Sequence, residues 1–182
     1  MAKHHRSAGF TLLEALVVLA VLAVLTGVAA PAMTGLRLQH RMQAQAEDLL
    51  GSLMLARSEA LRQQQRVTVC ARAADERCAL TGVWSQGWLV FVDGNANAQR
   101  DTQEVVLQKH GALPSGLWLD GNSLVNRYVS YGPDGRSQTI SGAFQAGTLT
   151  LCSPASALSW HLVLNALGKP RLVKVAADRC SE

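Results

Sequence analysis

Chemistry in this chain concentrates at a few positions, and the first is an acid beside hydrocarbon. Glu14 opens the stretch "LEALVVLAVLAVLTGVAAPAM", and no charge follows it from Ala15 to Leu36. A carboxylate at the border of a membrane is costly unless it is paired or functional. Four cysteines, Cys70, Cys78, Cys152 and Cys180, could form disulfides or bind metal as thiolates. Neither close pair has the CxxC spacing of common zinc knuckles, and no histidine cluster completes four ligands. An oxidising compartment suits them better. Three pairings are open. Cys70 with Cys78 closes a short loop and Cys152 with Cys180 pins the chain's end, which favours that combination.

Residues that could do catalysis do not gather. His40, His110 and His161 are isolated along the chain and separated from obvious carboxylate partners, and Ser153 and Ser156 lack a nucleophile elbow. No HExxH, Walker or GxGxxG pattern occurs, so neither an enzyme nor a cofactor is expected. The polar stretch "DGNANAQRD", Asp93 to Asp101, reads as an exposed loop, and within it the spacing and terminal acid of a calcium loop are missing. Trp84, Trp88, Trp118 and Trp160 sit in or beside strand-like pieces, where core packing outweighs base stacking. At the end, "GKPRLVKVAADRC" supplies Lys169, Arg171, Lys174 and Arg179 against Asp178 alone. Such a cluster can contact phosphates without reading bases. Its plainer reading is a solvated edge strand packed through Leu172, Val173 and Val175. A net charge of +4 decides nothing between them.

These residues must be positioned by two kinds of element. The uncharged run is long enough to cross a bilayer as a helix, and Lys3 and Arg6 before it place that end in the cytoplasm. A retained transmembrane anchor is therefore predicted over a cleaved secretory signal, although "GVAAPAM" offers small residues for one. Pro31 predicts a kink or an unwound turn. Beyond it Leu38, Met42, Ala46, Leu49, Leu53, Ala56 and Ala60 recur three or four apart, the period of an amphipathic helix. From Val67 onward short β-rich pieces alternate with turns such as "YGPDGRS". The fold class is thus α+β, a long amino-terminal hydrophobic and amphipathic helix packed on a mainly antiparallel sheet domain. Its expected parts are a leader at 1–9, a transmembrane helix at 10–36, an amphipathic spine at 37–66 and a periplasmic β-rich domain at 67–182.

The opening segment resembles the signal of type IV pilins and pseudopilins, with Lys3 and Arg6 as the basic leader, then Gly9, Phe10, and Glu14 at the fifth mature position. That resemblance implies cleavage between Gly9 and Phe10 by a prepilin peptidase, followed by N-methylation of Phe10. It also implies that Glu14 pairs with the mature amino terminus of a neighbouring subunit during assembly. The remainder resembles the GspH/FimT family of minor pseudopilins through "LLGSLMLARSEALRQQQRVTVC", "WSQGWLVFVDGNANA", "TLTLCSP" and "VLNALGKPRLVK". The resemblance implies a pilin-like fold and a structural part in a type II secretion pseudopilus or type IV pilus, at or near the tip. Implied partners are other major and minor pilins or pseudopilins and an inner-membrane assembly platform. The implied location is the inner membrane, single-pass, with a periplasmic carboxy-terminal domain. In transformation-associated members a Gly-Arg-x-Arg element carries DNA binding. Here Gly168, Lys169, Pro170 and Arg171 stand there, and lysine keeps the charge without arginine's planar fork. Uptake of double-stranded DNA through Lys169, Arg171, Lys174 and Arg179 is the alternative function.

Overall fold

The computed structural model describes residues 11–177 and 180, with backbone alone for 27–34. Gly9 and Phe10 lie outside the described residues, as do Asp178 and Arg179. The first element, α1, spans Leu12–Gln63. It starts where Thr11 Oγ1 accepts the Glu14 N–H at 3.3 Å, which satisfies one orphan donor of the first turn. It ends where Gln64 turns to a φ of 53° and its side chain donates to Leu61 O at 2.8 Å. That left-handed step terminates helices because it turns the next N–H out of line. Pro31 lies inside the helical segment, so the unwound turn predicted there is absent. A proline removes one internal hydrogen bond and crowds the carbonyl four residues earlier, and the helical backbone continues on both sides of it.

Among the described residues no helix is long and apolar enough to cross a membrane. This overturns the predicted transmembrane helix and the single-pass inner-membrane placement with a periplasmic domain.

The chain divides into two compact units, Met1–Leu38 and Gln39–Glu182. In the second, α1 buries Met42, Ala46, Leu49, Leu53, Ala56 and Ala60 almost completely. These are the residues of the amphipathic stripe, and Leu38 before them is half-buried. Eight strands follow: β1 Val67–Ala71, β2 Trp88–Val92, β3 Val106–His110, β4 Trp118–Gly121, β5 Tyr128–Tyr131, β6 Gly147–Cys152, β7 Leu158–Leu164 and β8 Pro170–Ala176. They form two four-stranded sheets with orders β3-β2-β1-β5 and β4-β6-β7-β8. Every pairing is antiparallel.

β1 and β2 are buried on both faces, which is why "VTVCA" and "WLVFV" are nearly continuous apolar runs. β8 is half-exposed throughout, as expected of an edge. Buried polar side chains tie loops to one another and to the first sheet. Gln145, fully buried, accepts the Ser130 N–H at 3.0 Å and donates to Leu124 O and Tyr128 O at 2.7 and 3.0 Å. Trp84 is buried, and its indole donates to Asn126 O at 2.8 Å, so its one polar atom is satisfied inside the core.

Candidate functional site

The residues singled out by type fall at four separate places. At the first, Glu14 is exposed in the opening turn of α1, its N–H held by Thr11. An acid there complements the positive end of the helix dipole. The pattern Thr11-x-x-Glu14 is half of a capping box, a local reason for this residue that the hydropathy reading missed.

At the second, the carboxy-terminal cations do not share one face. Lys169 lies exposed in the turn before β8, its N–H donating to Asn165 Oδ1 at 2.9 Å. Gly168 fixes that turn: its φ is +74°, and a Cβ there would come within 2.7 Å of Ser137 N, so both conformation and space demand glycine. Arg171 and Lys174 are three apart on β8 and therefore project from opposite faces of the strand. Lys174 Nζ lies 5.7 Å from the centre of the Trp160 ring, a cation–π contact that occupies both residues. Trp160 and Trp118 are half-buried, whereas Trp84 and Trp88 have no exposure at all.

At the third, the cysteines form two disulfides, Cys70–Cys78 and Cys152–Cys180, with Cα atoms 5.5 and 5.9 Å apart. Cys70 and Cys78 belong to a core cluster with Leu89 and Phe91. Cys180 is thereby tied to the end of β6.

The fourth place is the seam between α1 and the first sheet, where the histidine reading needs correction. His110 is not isolated. Its ring stacks on Trp88 with centroids 3.8 Å apart and planes 5° from parallel. Its Nε2 lies 3.4 Å from Asp48 Oδ2, and its Nδ1 lies 2.9 Å from Gly111 O. Trp88 donates through Nε1 to Ser52 Oγ at 2.8 Å, and Ser52 donates on to Asp48 O at 2.8 Å. Ser52, a polar residue beside the apolar stripe, is buried where it serves as that indole's acceptor. These contacts fasten helix to sheet. His110 lines neither the cavity beside the Cys70–Cys78 loop nor the one beside Lys169, and His161 lies on β7 opposite Thr150 and Val173.

The β2–β3 loop also differs from the nine-residue reading. Asp93 is buried and accepts from Thr68 Oγ1 at 2.7 Å, Asn97 N at 3.1 Å and Ala98 N at 3.0 Å. Glu104, three residues beyond the stretch considered, supplies the missing terminal acid. It accepts from Gly94 N at 2.9 Å and Asp101 N at 3.0 Å. The carboxylates thus organise the loop's own backbone. Among the described residues no group of three or more histidines, cysteines or acids could hold a metal ion.

A family model described as type II transport protein GspH matches residues 45–168, more than half of the chain. The chain belongs to that family. A second model, the prokaryotic N-terminal methylation motif, matches residues 4–30, the segment that carries Gly9, Phe10 and Glu14. The GspH match covers the lower part of α1 and every strand but β8, so the pilin-like arrangement of helix and antiparallel sheets is the family's framework. Among solved structures, the type IV minor pilin FimU of Pseudomonas aeruginosa is similar at a TM-score of 0.57 with 19% identity, over 74% of this chain and 90% of that one. A second crystal form of FimU aligns at 0.54 with 20% identity, over 72% and 91%. The minor pseudopilin EpsH from the Type 2 Secretion System of Vibrio cholerae aligns more loosely, at 0.49 with 13% identity over 75% and 97%. No curated protein sequence matches this chain.

Proposed function

We propose that this GspH-family chain is a structural subunit, a minor pilin or pseudopilin, of a type II secretion pseudopilus or type IV pilus, placed at or near its tip. The observation that carries the reading is the methylation motif at residues 4–30 leading directly into α1. A prepilin peptidase cuts between Gly9 and Phe10, and the new amino group of Phe10 is methylated. Glu14 then pairs with the mature amino terminus of a neighbouring subunit and sets the register of assembly. Attraction between the two charges strengthens where water is excluded, while desolvation opposes it, so the pair selects register more than it adds stability. Other pilins or pseudopilins and an inner-membrane assembly platform are the partners, and the chain works by packing rather than by catalysis.

The test is Glu14→Ala in the full chain within its host. Mass spectrometry of the amino terminus should still find a cleaved, methylated Phe10, whereas incorporation into sheared filaments should fall at least about tenfold, the equivalent of 1.4 kcal/mol in the assembly equilibrium. Normal incorporation of the variant would sink the pairing, and an uncut amino terminus in the wild type would sink the reading as a whole.

Contact with double-stranded DNA, the alternative, has less support. Lys169 lies in the turn before β8, Arg171 and Lys174 project from opposite faces of the strand, and Lys174 is engaged by Trp160. Duplex binding that weakens with salt and with Lys169→Ala would restore it.

A further inference from the structure

The cleft beside Lys169, about 220 Å³, lies between α1 and the turn that leads into β8. Met54, Arg57, Ser58 and Leu61 form its helical wall, and Lys169 and Pro170 form the other. Both walls are seated on one carbonyl. Arg57 Nε donates to Gly135 O at 2.9 Å, and a Cβ on Gly168 would stand 2.8 Å from that same oxygen. The helix and the turn are thereby held against each other, with Met54 58% and Leu61 45% exposed between them.

The lining is apolar and carries charge of one sign only. Of its six residues Arg57 and Lys169 are cations, and none is an acid. Neither cation is in an ion pair among the described residues. The acids on the adjoining segments have arginines of their own: Glu59 pairs with Arg62 at 2.6 Å, and Asp134 with Arg136 at 3.7 Å. Lys169 is exposed and Arg57 half-buried, so the Arg57 charge is the less screened of the two. An occupant must therefore bring negative charge and an apolar group together. The cleft is smaller than the roughly 300–1,000 Å³ of small-molecule sites, which suits one protruding side chain. Duplex DNA presents phosphates with no apolar knob to fill it.

We propose that this cleft docks a leucine-like side chain of a partner protein, flanked in that partner by carboxylates that meet Arg57 and Lys169. The apolar side chain covers Met54, Leu61 and Pro170. Arg57 is the stronger anchor, because its terminal nitrogens can meet a carboxylate with two parallel hydrogen bonds while Nε stays on Gly135. The inference rests on the lining of the cleft and stands whether or not the chain assembles into filaments.

The purified full chain is titrated with a capped Ala-Glu-Leu-Glu-Ala peptide by calorimetry. Saturable binding is expected. It should weaken about tenfold when both glutamates are replaced by Gln, through lost charge-assisted hydrogen bonds, and about tenfold when the leucine is replaced by Ser. On the protein, Arg57→Gln should weaken it about tenfold, with Arg57→Lys between because the charge stays and the fork is lost. Lys169→Glu should weaken it about fivefold, the reversal of an exposed charge. Circular dichroism checks that each variant is folded. Lys169 is tied to its turn through its backbone N–H, so Lys169→Glu keeps the test decisive if the Arg57 variants unfold. No saturable binding, equal binding of the Gln or Ser peptide, or unchanged affinity in a folded Lys169→Glu or Arg57→Gln variant would overturn the proposal. So would duplex DNA, or vesicles of phosphatidylglycerol, displacing the peptide at concentrations below its own.

Discussion

Tyr131 shows what a single buried polar atom does here. Its ring is fully buried, and its hydroxyl has no hydrogen-bond partner. Burial pushes the phenol up from its ordinary 10.0, with the Arg57 charge opposing. The folded state therefore keeps its proton where the unfolded chain loses it. Stability is complete below about pH 10 and falls as pH rises past that point, by at most about 1.4 kcal/mol per pH unit. Tyr131→Phe should be neutral or slightly stabilising near neutrality, because the hydroxyl it removes is unpaired. It should also flatten the alkaline loss. Urea unfolding of both proteins, near neutrality and above about pH 10, checks this, and parallel alkaline losses would show that the phenol is not the source. Glu14 and the β8 cations are legible at the same scale. The Thr11-x-x-Glu14 cap and the odd spacing of Arg171 and Lys174 are both visible in the sequence; reading the cations as one patch ignored strand alternation.

Among elements, α1 is fastened to β2 and β3 by a buried polar seam. Ser52 sits between the Trp88 indole and the Asp48 carbonyl, and His110 covers the same indole from β3. Ser52→Ala leaves a buried indole N–H without an acceptor, at a cost of about 1–3 kcal/mol. Ser58→Ala, on the exposed side of the helix, should change stability by less than about 0.5 kcal/mol. Urea midpoints of the two variants measure the difference, and equal midpoints would mean that water satisfies the indole. The stripe from Met42 to Ala60 was legible because burial on a helix repeats with the helix period. Ser52 was not, since its partner is 36 residues away. Asp93 was hidden for the same reason: Thr68 holds it from β1 across 25 residues.

At the scale of the whole molecule, the division at Leu38 and Gln39 carries a consequence. All eight strands, both disulfides and the buried part of α1 lie within the second unit. A chain beginning at Gln39 should therefore fold alone and unfold cooperatively, with a melting temperature within a few degrees, on the order of 4 °C, of the full chain. Broad, non-cooperative melting would show that the amino-terminal unit is needed for stability. By itself the sequence determined the class of fold, because helix and strand periods and turn residues are local properties: the short β-rich pieces from Val67 onward became eight strands. The methylation motif was equally local and sits in one continuous stretch. Only the tertiary structure decided how the strands divide into two sheets and that His110 meets Asp48 across 62 residues. Those outcomes depend on which distant side chains share a small volume, and hydrogen bonding and charge compensation act through space.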